Sequence, residues 1–264
     1  MPDELPEDSA GLKLKDLGVM ITRPFHQAQN LRQQVESAGG RAMMYPLLEI
    51  LPAEMTPQLV YELEQLDRYQ IIIFVSPNAV EYGLKLINDR GGLKQQRIAA
   101  VGKGTAEKFK TMTGREVDIM PEHQFDSDGL LAMPALRQVK DQHILIMRGQ
   151  SGRELLATTL QQRGAKVNYA AVYQRQCPSL DAKKLNSELQ QGKIGIISLT
   201  SAEAIENLFK QANREYLVQV PFIVINARLR DLLTEHGVKS EILVSHEASD
   251  SGILKMLKQW HGRN

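Results

Sequence analysis

A single cysteine, Cys177, stands in a chain of 264 residues. That excludes an internal disulfide and suits a reducing cytosol, so a cytoplasmic location is expected. Charge of one sign is also lacking: the formal net charge is +1. No global field therefore draws in nucleic acid or an anionic membrane, and any anion site has to be built locally. Long apolar runs are missing too. "IIIFV" (Ile71–Val75) falls far short of the ~20 residues of a membrane helix, so no membrane association is expected. The opening "MPDELPEDSAG" is acidic and proline-containing, the reverse of a secretory signal, and residues 1–15 are expected to form a mobile tail.

Motifs of the commoner chemistries are absent as well. His26, His123, His143, His236, His246 and His261 are scattered, without H-E-x-x-H spacing, and read as surface or capping residues. "GKGT" (Gly102–Thr105) lacks the third glycine of a dinucleotide fingerprint, and no G-x-x-x-x-G-K-[ST] loop occurs. Ser76 is followed by Pro77, which a nucleophile elbow does not accept. No metal site and no cofactor are expected.

What the chain does contain is a repeat. "FVSPNAV" (Phe74–Val80) and "LTSAEAI" (Leu199–Ile205) each follow an apolar run and precede a helical pattern, with Ser76 and Ser201 separated by 201 − 76 = 125 positions. Arg23 and Arg148, and likewise Gly39 and Gly164, stand at the same offset. Both glycines fall where a helix ends in a left-handed residue. "RIAAVGKGTAEKF" pairs with "PFIVINARLRDLL" across a small gap, and "DSDGLLAM" with "SDSGILKM" at 252 − 129 = 123. Four units in one order imply an internal duplication.

The chain length suits about two domains of ~100–150 residues. Strand candidates are Val19–Thr22, Ile71–Val75, Ile98–Val101, Ile144–Met147, Ile194–Leu199 and Phe222–Ile225, alternating with helical patterns. This alternation predicts an α/β protein of two similar doubly wound parallel-sheet domains. The proline-bearing "MMYPLLEILPAEM" and "VYQRQCPSL" read as the linkers between them.

In such sheets the loops after the strand carboxyl ends line the ligand crevice. Here those loops are "TRP" (Thr22–Pro24), "SPN" (Ser76–Asn78), "GKGT", "RGQSG" (Arg148–Gly152) and "TS" (Thr200–Ser201), each just before a helix. "SGRE" (Ser151–Glu154) and "TSAE" (Thr200–Glu203) match the capping-box pattern. One reading is that the hydroxyls only cap helices. The other is that helix N-termini, hydroxyls and Arg together hold carboxylate or phosphate. Tyr173 has the same two readings: a half-buried strand tyrosine on one face with Tyr169 by period-2 counting, or a phenol that donates a proton at the mouth of an interdomain cleft.

Taken in order, "TRP", "IIFVSPNAV", "AAVGKGTA", "LIMRG…GRELL", "AVYQR" and "ISLTSAEAI" resemble the uroporphyrinogen-III synthase family over roughly residues 18–260. The resemblance implies a discontinuous first domain, about 18–48 with 177–264, and an inserted second domain, about 53–170. Residues 49–52 and 171–176 would be the two connecting strands, and the ligand cleft would lie between the domains. It further implies a cofactor-free lyase of heme and porphyrin biosynthesis. Linear hydroxymethylbilane, a tetrapyrrole with eight carboxylates, is closed to uroporphyrinogen III with loss of water and inversion of the last ring through a spiro intermediate. Tyr173 matches the family tyrosine that assists hydroxyl departure; Ser76, Asn78, Thr105, Thr200 and Ser201 match cleft positions. Gly102 joins them through its loop, and Arg23 and Arg148 match recurrent basic positions. The chain departs from the pattern at Asn226–Ala227–Arg228, where the family often has a small or hydroxyl-rich loop. A monomer receiving its substrate from the preceding bilane-forming enzyme is expected. The alternative is a non-catalytic two-domain sensor of a small anionic metabolite.

Overall fold

The computed structural model describes residues 13–152, 154–245, 247 and 249–263; His246 and tail residues 1–12 lie outside that range. Ten strands run in chain order: β1 (Gly18–Ile21), β2 (Arg41–Met44), β3 (Glu49–Pro52), β4 (Ile71–Phe74), β5 (Arg97–Ala100), β6 (His143–Gly149), β7 (Lys166–Gln176), β8 (Ile196–Leu199), β9 (Phe222–Val224) and β10 (Ile242–Val244). The α-helices between them are α1 (Phe25–Ser37), α2 (Pro57–Glu64), α3 (Pro77–Asn88), α4 (Lys103–Thr113), α5 (Ser127–Ala132), α6 (Leu155–Gln162), α7 (Ala182–Gln190), α8 (Ala202–Gln211), α9 (Arg214–Leu217), α10 (Ala227–Glu235) and α11 (Asp250–His261). The chain divides into two compact units, residues 1–49 with 176–264, and residues 50–175.

The first unit is built on the sheet β10-β9-β8-β1-β2, in which every neighbouring pair is parallel. All four residues of β1 are buried, as a parallel strand covered on both faces requires. Val19 and Ile21 pack with Ala28, Leu31 and Val35 of α1 and with Ile253 and Leu257 of α11. Met20 points the other way, into a cluster with Leu185 of α7, Leu208 of α8 and Leu233 of α10. Each such side chain, fully buried, contributes roughly 1.5–3 kcal/mol. Leu14 belongs to the first of these clusters and is 0% exposed, and its N–H donates to the Ala38 carbonyl at 2.8 Å. The end of the expected tail is therefore anchored, because one apolar side chain among polar neighbours fills the space at the end of α1.

The second unit has the order β3-β7-β6-β4-β5, with β4–β5, β4–β6 and β6–β7 parallel. Ile73 and Ile146 face a cluster holding Leu130 of α5 and Leu160 of α6. Phe74 lies on the opposite face against Phe109 of α4, ring centroids 5.7 Å apart. Residues 49–52 and 171–176 are strand, and Gln174 donates to the Pro52 carbonyl at 3.3 Å. The buried Glu62 carboxylate takes hydrogen bonds from Gln58, Arg68, Tyr69 and Asn168. That set of donors is what makes a charge tolerable there.

The sequence repeat is a repeat of register. β1 pairs Val19 with Ile196, and β6 pairs Ile144 with Ile71; 144 − 19 and 196 − 71 both give 125. β1–β2 and β6–β7 match likewise, Gly18 with Arg41 against His143 with Lys166. Equivalent strands thus occupy equivalent sheet positions, β2-β1-β8-β9 against β7-β6-β4-β5, and β3 is added outside β7. Gly39 and Gly164 have φ of +83° and +87°, the left-handed helix ends that both copies need.

Candidate active site

In the first unit the strand ends carry Thr22, Arg23, Thr200, Ser201 and Asn226. Thr22 Oγ1 donates to the Ser198 carbonyl at 2.7 Å, tying β1 to β8. Ser201 Oγ accepts from Ala204 N at 3.1 Å and so caps α8. The cap is Ser201 and not Thr200, one residue later than the "TSAE" pattern implies. Thr200 Oγ1 is instead turned to Arg23 Nε, at 3.4 Å. The Arg23 guanidinium forms an ion pair with Asp250, whose second oxygen accepts from Asn30 at 2.8 Å. Asn226 Oδ1 accepts from Leu229 N at 3.0 Å, so the loop that departs from the family pattern keeps a capping acceptor. A serine that caps through its oxygen still has its O–H to donate.

In the second unit Ser76 caps α3, accepting from Ala79 N at 3.1 Å, and lies 3.3 Å from the Tyr173 hydroxyl. Gly102 is the N-cap of α4 and offers no side-chain acceptor. The Thr105 and Ala106 N–H groups donate to the Gly102 carbonyl, each at 3.1 Å, so those of Lys103 and Gly104 are the ones an α-helix start leaves to solvent or ligand. Asn78 is half-buried at the start of α3, and Thr105 is buried in the first turn of α4. Of the expected residues, Ser76, Arg148 and Tyr173 line one cavity of about 260 Å3, together with Ser127, Ser151 and Arg175. Asn78, Gly102 and Thr105 begin helices on the same sheet edge without lining it, and Arg23, Thr200 and Ser201 form the separate cluster of the first unit.

Tyr169 and Tyr173 both line the cavity of the second unit, but their rings pack on different elements. The β6–β7 pairing slips by a residue, from Arg148 with Ala171 to Gly149 with Tyr173. Val172 is the extra residue, and strict alternation ends there. Tyr169 packs against the Ile146–Leu156 cluster, whereas the Tyr173 ring meets Tyr82 of α3 at 6.1 Å between centroids. Tyr173 is 4% exposed. Gly149 lies beneath it, and a Cβ there would come within 2.8 Å of the ring, so only glycine fits.

Arg148 is 8% exposed, with its guanidinium 4.6 Å from the Tyr169 ring centroid and Nη1 2.8 Å from Glu154 Oε1. Glu154 Oε2 accepts from the Tyr169 hydroxyl at 2.6 Å. The "SGRE" box is therefore not formed. α6 begins at Leu155 with no capping side chain, because the arginine and the phenol take the Glu154 carboxylate. Those two donors, Tyr169 first, hold the Glu154 carboxyl below the usual carboxylate range. Burial, then the Glu154 carboxylate, pushes the Tyr169 phenol up to about 12. Burial also raises Tyr45 and Tyr69, which donate to Glu188 and Glu62.

A raised phenol binds its proton more tightly in the folded state. The stability it contributes is present below the ordinary value of about 10 and is lost as pH rises through the raised value. These three should ionise only above pH 10 in a 295 nm absorbance titration, with the thermal midpoint falling from pH 10 upward. Ionisation of Tyr45, Tyr69 and Tyr169 near pH 10 in the folded protein would contradict the three contacts.

Tyr82 carries no local motif that marks it, and Glu154 stood only in the "SGRE" capping pattern. Asp250 stood inside the fourth repeat unit, but its partner lies 227 positions away. Among the described residues, no helix is long and apolar enough to cross a membrane, and no three His, Cys, Asp or Glu side chains are grouped to hold a metal ion.

A family model described as uroporphyrinogen-III synthase HemD matches residues 29–255. The uroporphyrinogen-III synthase of Escherichia coli is 28% identical over 248 residues, spanning 92% of this chain and 100% of that protein. That of Proteus mirabilis is 35% identical over 161 residues, or 60% of this chain and 80% of its own. Among solved structures, a mutant uroporphyrinogen III synthase from Thermus thermophilus superposes with a TM-score of 0.64 at 17% identity, covering 93% and 99% of the two chains. The Helicobacter pylori uroporphyrinogen-III synthetase gives 0.58 at 16%, covering 90% and 97%. The structures bear on the fold, which they share; the family model and the sequence relatives bear on descent. The chain belongs to the uroporphyrinogen-III synthase family.

Proposed function

We propose that the chain converts hydroxymethylbilane to uroporphyrinogen III, in the cytoplasm and without a cofactor. Beside the family membership, one observation carries the reading: a nearly buried phenol, Tyr173, beside Ser76 on a cavity edged by Arg148 and further hydroxyls. The terminal hydroxyl of the bilane takes a proton, leaves as water, and its methylene carbon becomes a cation stabilised by the attached pyrrole. Attack by the substituted carbon of the last ring gives the spiro intermediate. Opening and reclosing on that ring's other side inverts it, and the proton lost on rearomatisation replaces the one given up. The pyrroles supply the reactivity, so the protein has to fold the chain, hold its carboxylates and help hydroxide depart. The phenol donates to the departing oxygen, and Ser76 orients it. Backbone N–H groups at the starts of α3 and α4 suit the carboxylates.

The test supplies freshly generated hydroxymethylbilane to the purified, metal-free protein and separates the isomers after oxidation. The III isomer should dominate. Only the spontaneous type I product, from a folded protein, would reject the proposal and leave the non-catalytic anion sensor in its place.

A further inference from the structure

Both units hold an arginine at the same repeat position, and both neutralise it, but with carboxylates of different character. Asp250, the partner of Arg23, sits on α11 with its side chain 13% exposed and is also held by Asn30. Glu154, the partner of Arg148, has its side chain 64% exposed and precedes α6. Asp250 corresponds to Ser127 by the 250 − 127 = 123 offset of the fourth repeat unit, and Ser127 lines the cavity. The second unit thus has a hydroxyl and open space where the first has a fixed internal carboxylate. Arg148 itself is fixed from two other sides. Its guanidinium rests on the Tyr169 ring, and Gly152 lies so close that a Cβ would come within 2.9 Å of Nη2.

A nearly buried cation held rigidly beside a cavity is a prepared carboxylate receptor. An exposed carboxylate such as Glu154 occupies it only weakly. We propose that Glu154 stands in for the substrate: a carboxylate of the bilane replaces Glu154 on Arg148, and the Ser127 and Ser151 hydroxyls donate to it. This rests on the function proposed above and identifies the group of the substrate that Arg148 receives. No covalent bond changes; one carboxylate exchanges for another.

Glu154→Gln removes the competing charge while keeping the shape and an acceptor for Arg148. With hydroxymethylbilane as substrate, KM should fall about three- to tenfold, the range set by losing a weak, exposed ion pair, with kcat to the III isomer retained. Arg148→Gln should raise KM, and in that background Glu154→Gln should change nothing further. An unchanged or higher KM for Glu154→Gln at the wild-type thermal midpoint overturns the proposal. So does an equal fall in both backgrounds, which would be charge repulsion without exchange at Arg148. Glu154→Ala serves as the second variant should Gln disturb folding. A binding measurement keeps the inference separate from turnover. Glutarate, titrated against the Arg148 Nε–H resonance, should shift it at several-fold lower concentration in Glu154→Gln than in wild type. If the wild type makes no III isomer but this difference holds, the function fails and the exchange stands. If the resonance responds alike in both, the exchange fails.

Discussion

Tyr173→Phe lowers the turnover of hydroxymethylbilane to the III isomer about tenfold, and up to ~10²-fold, with the thermal midpoint nearly unchanged. The substitution removes one oxygen from a ring that keeps its contact with Tyr82 and its seat over Gly149. Ser76 loses a neighbour but still caps α3. General acid assistance is typically worth ~10²–10⁴-fold, and the reactivity of the pyrrole replaces part of it, which sets the expectation at the low end. The loss should appear in kcat and not in KM, because the hydroxyl acts on the departing group and not on a carboxylate. Tyr169→Phe is the control. It removes an O–H from the Glu154 carboxylate, on the other side of the strand slip at Val172, and should leave kcat within about twofold. Equal losses in the two variants, or none in either, would make Tyr173 a packing residue.

Residues 50–175, expressed alone, should unfold in one cooperative urea transition, whereas residues 1–140 should give none. The first fragment contains the whole sheet β7-β6-β4-β5, its two helical faces and the buried Glu62 network. The second fragment has the same order of length but cuts both sheets through their middles. It keeps β4 without β6, and β1 without β8, so each remaining central strand loses a full row of hydrogen bonds on one edge. Ile144 and Ile146 leave one core, and Ile196, Ile223 and Leu257 leave another. A stable, cooperative 1–140 fragment would mean that the folding units follow sequence order and that the division at residues 50 and 175 is not energetic.

The duplication was legible because the chemistry of each junction is local. A strand of Ile and Val, a hydroxyl or amide acceptor at the helix start, and a glycine at its end are written in adjacent residues. Copying them copies the register, which is why a sequence offset of 125 reappears as identical strand pairing. The caps at Ser76, Ser201 and Asn226 also follow from a polar side chain three residues ahead of a backbone N–H. Even there the position depended on neighbours. Thr200 was drawn to Arg23, and Glu154 to Arg148 and Tyr169, which dissolved the two capping boxes that spacing predicted.

The rest of the site is non-local, so no window of sequence contains it. Arg23 finds Asp250 only because α11 returns to α1, and Tyr173 meets Ser76 only because β7 lies two strands from β4. Leu14 looked like part of a polar tail until α1 gave it a surface to cover. Most of all, period-2 counting put Tyr169 and Tyr173 on one face, and a one-residue slip beside Gly149 turned the Tyr173 ring to Tyr82 of α3 while both still line one cavity. Sequence by itself determined which residues stand at the strand ends, since alternating hydrophobicity and helix starts are properties of neighbours. The tertiary structure decided which of them meet, because a bulge, an ion pair and a ring over a glycine each depend on atoms from strands and helices far apart in the chain.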